Sequence, residues 1–282
     1  MRDSSRFLLL VVSLWASPSP AHPPVAVVRD GRGNVFYSDL KRVFRVAPDG
    51  TKSVAVEGVH THELLLDAAG TLHGEHLWYE GDATGKWGHR LWRRSPDGTV
   101  TFDPPREGFR TEVSFVRDAR GNQYRADRGA ATRLVKRKPD GTESVLSEGP
   151  FRDVRWMAVS PEGTLYLVDD GDLLRVTAEG KTGAIARNLA ERRLRPPWLF
   201  RHDVMGLWLG GDGDVYVAVP ARRVVKRVLA DGRVSVAVRS RWPWSPTGGL
   251  AERDGTLWVL ECGPANGVRL RRVRPGGSAT VY

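Results

Sequence analysis

Five of the seven histidines fall between positions 60 and 89, in His60-Thr-His-Glu63, in His73-Gly-Glu-His76 and at His89. Imidazoles on facing strands can share one metal ion or one anion, and facing carboxylates need an arginine, a shared proton or a cation between them. The intervening Asp67-Ala-Ala-Gly-Thr71 reads as a three-residue hairpin loop with Gly70 left-handed, so Asp67 pairs with Thr71. In that register His62 faces His76 and Glu63 faces Glu75. Directly opposed Cβ atoms lie about 4.5–5.5 Å apart, and successive residues alternate faces, so the two pairs project from opposite sides of one sheet. His62 and His76 are thus the candidate metal ligands, suited to Zn²⁺ or another first-row ion, whereas Ca²⁺ favours carboxylates and carbonyls. The same residues have structural alternatives. His73 stands where other repeats carry Phe, Tyr or Trp, His60 and His89 fit loops, and His62 and His76 can bond each other or nearby backbone.

The elements that must position these residues appear in the turns. Asp30-Gly-Arg-Gly-Asn34, Asp67-Ala-Ala-Gly-Thr71, Asp118-Ala-Arg-Gly-Asn122, Ser160-Pro-Glu-Gly-Thr164, Gly210-Gly-Asp-Gly-Asp214 and Glu252-Arg-Asp-Gly-Thr256 recur along the chain. Three residues after the last Gly of each comes a ring: Phe36, His73, Tyr124, Tyr166, Tyr216, Trp258. A second turn interleaves with the first, at Pro48-Asp-Gly50, Pro96-Asp-Gly98, Pro139-Asp-Gly141, Ala178-Glu-Gly180, Ala230-Asp-Gly232 and Pro275-Gly-Gly277. Two hairpin turns per repeat mean four short antiparallel strands, here called A to D, and six repeats of about 44 residues have the size of propeller blades. The expected fold is all-β, a six-bladed β-propeller with four antiparallel strands per blade, over residues 22–282. Strand A is expected at about 60–66 in blade 2, 153–159 in blade 4 and 204–209 in blade 5. The loops entering A and leaving B then form one mouth of the central channel, where ligand chemistry belongs.

Units such as Met157-Ala-Val-Ser-Pro-Glu-Gly-Thr-Leu-Tyr-Leu-Val-Asp169 and Leu207-Trp-Leu-Gly-Gly-Asp-Gly-Asp-Val-Tyr-Val-Ala218 make the chain resemble the NHL-repeat and gluconolactonase/regucalcin-like propellers from residue 25 to 282. That resemblance implies the fold, but not the substrate, because the superfamily spans lactonases, lyases, receptor modules and scaffolds. Gluconolactonase-like members hold a divalent cation with a Glu, an Asn and an Asp from several blades. The column eight residues before each turn glycine, where their Asn lies, here reads Val25, His62, Val113, Arg155, Met205 and Thr247. None of these is Asn or Asp, so that cation site does not carry over. The related amidating lyases hold zinc with His from different blades, and here the histidines crowd one blade.

Six residues after the turn glycine the column reads Asp39, His76, Asp127, Asp169, Val219 and Glu261, a ring of acids open to catalytic and turn-capping roles. Arg155 is the basic member of the mouth column and is a candidate clamp for a carboxylate, phosphate or lactone carbonyl, or a counter-ion to Asp153 or Asp169. In an enzyme, a carboxylate such as Glu75 or Asp127 would move protons beside a metal-bound water. Longer loops enter or leave the mouth at residues 79–89, 188–202 and 240–246, and with the adjoining strand end they carry Trp78, Trp87, Trp198, Trp242 and Trp244. These tryptophans are candidates for an aromatic ligand rim, or for a lid core over the propeller.

Composition bounds the rest. Forty per cent hydrophobic residues support a core, and one cysteine, Cys262, excludes a disulfide framework and a Cys-rich zinc module. Arg2 and Arg6, an apolar run at 7–16 and Ser19-Pro20-Ala21 predict a signal peptide over residues 1–21, hence a periplasmic or secreted protein with no transmembrane segment in the mature chain. The net charge of +10 gathers on outer strands, in a pattern that suits a solvated face or anionic envelope polymers. No helix, RNA-binding aromatic motif or glycine-rich phosphate loop points to nucleic acid. Three functions stay open, in this order: a monomeric propeller binding a polar small molecule or glycan at its mouth, a metal-dependent hydrolase or lyase at the same place, and a protein-interaction scaffold.

Overall fold

The structure is a computed structural model that describes residues 23–81, 83–108, 113–191 and 203–282, so the expected signal segment lies outside the described residues. The glycines of all twelve expected turns have positive φ. At Gly70 the reason is visible: its amide donates to the Asp67 carbonyl at 3.0 Å, a tight closure that needs φ of +79°. The Asp67 carboxylate then accepts the amides of Ala69 and Thr71. The ring three residues on reaches back to the acid that opens the turn, through His73 to Asp67, Tyr124 to Asp118 and Trp258 to Glu252. His73 therefore braces its own turn.

Six antiparallel sheets follow on the four-strand plan. Blade 1 comprises Val27–Arg29, Val35–Ser38, Arg42–Val46 and Lys52–Glu57. Blade 2 comprises Leu64–Leu66, Leu72–Tyr79, Trp87–Arg94 and Val100–Phe102, with Arg106–Glu107 added beside its third strand. Blade 3 has Gln123–Arg128, Thr132–Arg137 and Glu143–Ser147, its inner strand being reduced to a bridge from Arg117 to Gln123. Blade 4 comprises Val154–Val159, Leu165–Asp169, Asp172–Val176 and Thr182–Ala186; blade 5 comprises Met205–Leu209, Val215–Val219, Val224–Val228 and Val234–Arg239. Blade 6 comprises Ser245–Ala251, Leu257–Cys262, Val268–Val273 and Ala279–Val281.

Five apolar clusters each straddle two neighbouring blades: 1 and 2, 3 and 4, 4 and 5, 5 and 6, and 6 and 1. The last of these closes the ring without strand exchange. Val27, Val35 and Tyr37 pack on Trp258, Leu260 and Leu270, Ala26 bridges Gly249 in parallel, and Thr247 Oγ1 donates to the Pro24 carbonyl.

The outer-strand charge has a repeat-level cause. In every blade the ring residue of strand B is directly opposed by a basic residue of strand C: Phe36 by Arg45, His73 by Arg93, Tyr124 by Lys136, Tyr166 by Arg175, Tyr216 by Arg227 and Trp258 by Arg272. At that spacing a long cationic side chain can lie over the ring, as Lys136 does over Tyr124 and Arg272 over Trp258.

Candidate functional site

Blade 2 keeps the expected register from Leu66↔Leu72 to Leu64↔Gly74 and then departs from it. Its strand A is three residues long rather than seven, because the side chain of Glu75 takes over from the backbone. Glu75 is buried, and its Oε1 accepts the amides of His62 at 2.7 Å and Glu63 at 3.2 Å. The Glu75 carbonyl is in turn held by Thr61 Oγ1 and Trp92 Nε1. Further up, the Leu77 amide donates to the His60 carbonyl, so strand A carries one more residue than its partner.

The slip removes the opposition of His62 and His76. His76 Nδ1 accepts the His60 amide at 3.0 Å, while His62 Nδ1 lies 3.8 Å from Glu75 Oε1 and its ring sits 4.8 Å from that of His60. Glu63 and Glu75 separate too, since Glu63 lines the channel and Glu75 turns into the blade. Burial pushes the His76 imidazole below its ordinary value, with the Arg90 charge and His60 adding to it, and burial does the same to His60. His76 is accordingly a neutral ring whose Nδ1 accepts and whose Nε2 carries the proton. His89 is buried with its Nδ1 against the Gly108 carbonyl.

The same kind of slip recurs near the start of strand A in three other blades, between Val154 and Trp156, between Met205 and Leu207 and between Pro246 and Gly248. The bulged residues in blades 4 and 6 are Arg155 and Thr247, both from the mouth column, and a bulge re-aims a side chain out of the alternating pattern. Most of the acids six residues after the turn glycine serve local structure. Asp39 accepts the Lys41 and Arg42 amides, and Asp169 accepts those of Arg152 and Asp153. The fully buried Glu261 is held between Arg269 and Arg271.

Asp127 is the exception in position. It pairs with Arg133 at 2.9 Å and also lines the central channel, a cavity of about 880 Å³. Four arginines, Arg117, Arg125, Arg128 and Arg155, and two acids, Glu63 and Asp127, are among the residues that line it, although the Arg125 guanidinium itself reaches out to Glu143 on the outer strand of its blade. Phe115, Trp156 and Trp208 supply apolar wall. Each arginine has a positioning contact. Arg125 is bidentate to Glu143, Arg128 donates to the Val154 carbonyl, Arg155 pairs with Asp153 at 2.7 Å, and Arg117 donates to the Ser114 carbonyl. A guanidinium has five N–H donors, so the single contacts of Arg128 and Arg155 leave donors over for a ligand.

Of the sequence candidates, Asp127 and Arg155 share the channel, whereas Glu75, His62 and His76 stand together at the end of blade 2 behind Glu63. Trp78 and Trp87 belong to the long hairpin of blade 2, where Trp78 pairs with Gly88 and packs on its Cα. Trp244 is covered by Arg269 at 4.1 Å, Trp242 is 78% exposed, and Trp198 lies outside the described residues. The channel residues missed in the sequence are Arg117, Arg125, Arg128, Phe115 and Trp156. The signal was present in Tyr124-Arg-Ala-Asp-Arg128, where two arginines flank the acid column on a strand B.

No group of three or more His, Cys, Asp or Glu side chains among the described residues is placed to hold a metal ion. With His76 Nδ1 engaged by backbone and His62 Nδ1 beside Glu75, this pair does not fit the metal edge that the hairpin register predicts. Burial pushes the Cys262 thiol up to about 12, so it is no thiolate nucleophile at neutral pH. No described helix is long and apolar enough to cross a membrane.

Fold and channel together define a six-bladed β-propeller with an arginine-lined central cavity. No protein-family model and no curated protein sequence matches the chain. Solved structures do. A putative oxidoreductase (glucose dehydrogenase) from Thermus thermophilus is 16% identical with a TM-score of 0.55, covering 92% of this chain and 96% of that one. A virginiamycin B lyase from Staphylococcus aureus is 13% identical with a TM-score of 0.52, covering 93% and 84%. The calcium-binding protein regucalcin from Agrobacterium tumefaciens is 16% identical with a TM-score of 0.53, covering 86% and 82%. At these identities the likeness establishes the propeller fold, in agreement with the resemblance read from the blade motifs.

Proposed function

We propose that the chain is an exported propeller that binds a polar, anionic small molecule or the acidic end of a glycan in its central channel. The observation that carries this reading is the excess of arginines over acids among the residues lining one cavity of about 880 Å³, with Arg128 and Arg155 each held by a single partner that leaves guanidinium donors over. Guanidinium forks match carboxylate and phosphate oxygens bidentately, and the Trp156 and Phe115 walls can take the apolar face of a sugar ring. Export rests on the N-terminal segment 1–21, and anionic envelope polymers would meet the basic outer strands.

A metal-dependent lactonase-type hydrolase is the second reading. The likeness to a structure described as a putative gluconolactonase, 18% identical with a TM-score of 0.54, favours it. The described residues supply no three-donor group to hold its cation.

Calorimetric titration with sugar acids, sugar phosphates and the matching neutral sugars tests the proposal. The acids bind, the neutral sugars do not, and Arg155→Met or Arg128→Met weakens binding about tenfold or more, the value of one charge-assisted contact. Equal binding of neutral and acidic sugars would overturn it. Hydrolysis of a lactone panel that depends on added Ca²⁺ or Zn²⁺ would favour the second reading.

A further inference from the structure

On the face opposite the mouth, blades 1 and 2 leave a crevice of about 330 Å³ between the turn at Asp30–Asn34, the turn at Ala68–Gly70 and Pro96. Arg45 from strand C of blade 1 and Arg94 from strand C of blade 2 line it from its two sides, with Arg32 on the neighbouring turn. The Nε atoms of Arg45 and Arg94 are both buried and make no hydrogen bond. Among the described residues, neither guanidinium has a carboxylate within ion-pair distance. Arg90 and Arg272, also on C strands, share the unbonded Nε, and Arg94 Nη1 donates to the Ser95 carbonyl at 3.4 Å; what sets Arg45 and Arg94 apart is that both line one crevice.

Acids do face the crevice at longer range. Asp30 has its carboxylate engaged by the Arg32 and Asn34 amides and the Asn34 side chain, and Asp97 accepts the Thr99 amide. Asp49 stands beyond Arg45, holding the Thr51 amide. Burial, and after it the charge of Arg45, holds the Arg94 guanidinium below its ordinary value. Two like charges brought together in a partly desolvated cleft repel each other, and an anion between them reverses the sign of that interaction.

We propose that this crevice is a second binding site, for a tetrahedral oxyanion such as inorganic phosphate or the phosphate group of a small ester, clamped between Arg45 and Arg94. The size fits such a group with a small substituent, and the two forks approach from different blades, so occupancy would also tie blade 1 to blade 2. The proposal does not depend on the channel reading.

The test is titration of the full chain with inorganic phosphate at constant ionic strength, by calorimetry and phosphorus NMR linewidth, in an Arg155→Met background that weakens the channel. One saturable site remains in that background. Arg45→Met and Arg94→Met each weaken it about tenfold or more, the value of one charge-assisted contact. Ala69→Glu, on an exposed turn at the crevice, abolishes it without touching either arginine and keeps the test decisive should an arginine variant misfold. Phosphate also raises the melting temperature of the Arg155→Met chain and not of the Ala69→Glu double variant. Absence of saturable binding in the Arg155→Met chain, or binding that survives Ala69→Glu unchanged, overturns the proposal.

Discussion

At the mouth end, blade 2 folds its polar side chains onto its own backbone, whereas arginines of blades 3 and 4 line the channel. The Glu75 carboxylate accepts the His62 and Glu63 amides, His76 Nδ1 accepts the His60 amide, and His62 lies against Glu75. Arg128 and Arg155 line the open cavity and are steadied by one carbonyl or one exposed carboxylate. A cluster of residue types capable of chemistry is therefore a poorer guide than where their hydrogen-bonding capacity is spent. Histidine and glutamate at a slipped strand end stabilise the slip, while arginine at a bulge is presented to solvent.

This contrast can be broken most sharply at Glu75. Replacing it with Ala leaves two backbone amides without their acceptor in a buried site, and the expected loss is about 2–4 kcal/mol in urea denaturation. Glu75→Gln keeps an acceptor and recovers much of that. A loss under about 1 kcal/mol for Glu75→Ala would mean that the carboxylate is not structural and would return it to the catalytic candidates.

Arg155→Met and Arg128→Met should do the reverse. Both residues are exposed, so stability should change by no more than about 0.5 kcal/mol while anion binding in the channel falls. Melting curves paired with the titrations check both halves, and a large stability loss would erase the distinction between the two regions.

A smaller effect is expected with pH. The folded-state values of His60 and His76 lie below their ordinary value, so the unfolded chain takes up protons first as the medium is acidified. Their contribution is present above about pH 6.5 and is lost as pH falls through the lowered folded values. The melting temperature should drop between about pH 7 and pH 5, and His76→Gln, which retains an acceptor for the His60 amide, should flatten the slope. An unchanged slope in that variant would place the titration elsewhere. Smallest of all is Trp242→Ala: at 78% exposure its removal should shift stability by less than about 0.5 kcal/mol, and a larger loss would point to a lid packed beneath it.

The blades were readable because their turns demand particular residues. A left-handed position needs glycine, and in blades 2 and 3 an acid three residues earlier caps the turn while a ring three residues later leans back on it. His62 and His76 were misplaced by the same reasoning carried one step too far. Register propagates from a turn only while backbone amides pair with backbone carbonyls, and after Leu64 the Glu75 carboxylate intercepts them. Nothing in residues 60–63 marks that interception, because the competing acceptor lies on the facing strand.

The channel arginines were hidden for a related reason. Arg117 stands where the inner strand of blade 3 is only a bridge, and Arg155 is aimed by a bulge, so alternation gives no direction for either of them. Local sequence determined the repeat number, the turn geometry, the ring-and-cation pairing across strands B and C, and closure without strand exchange, since each of these follows from residues within a few positions of one another or on adjoining strands. Only the tertiary structure decided which polar groups face the cavity and which cap their own backbone. That choice depends on competition among side-chain acceptors, amides and neighbouring blades that meet only when the ring is assembled.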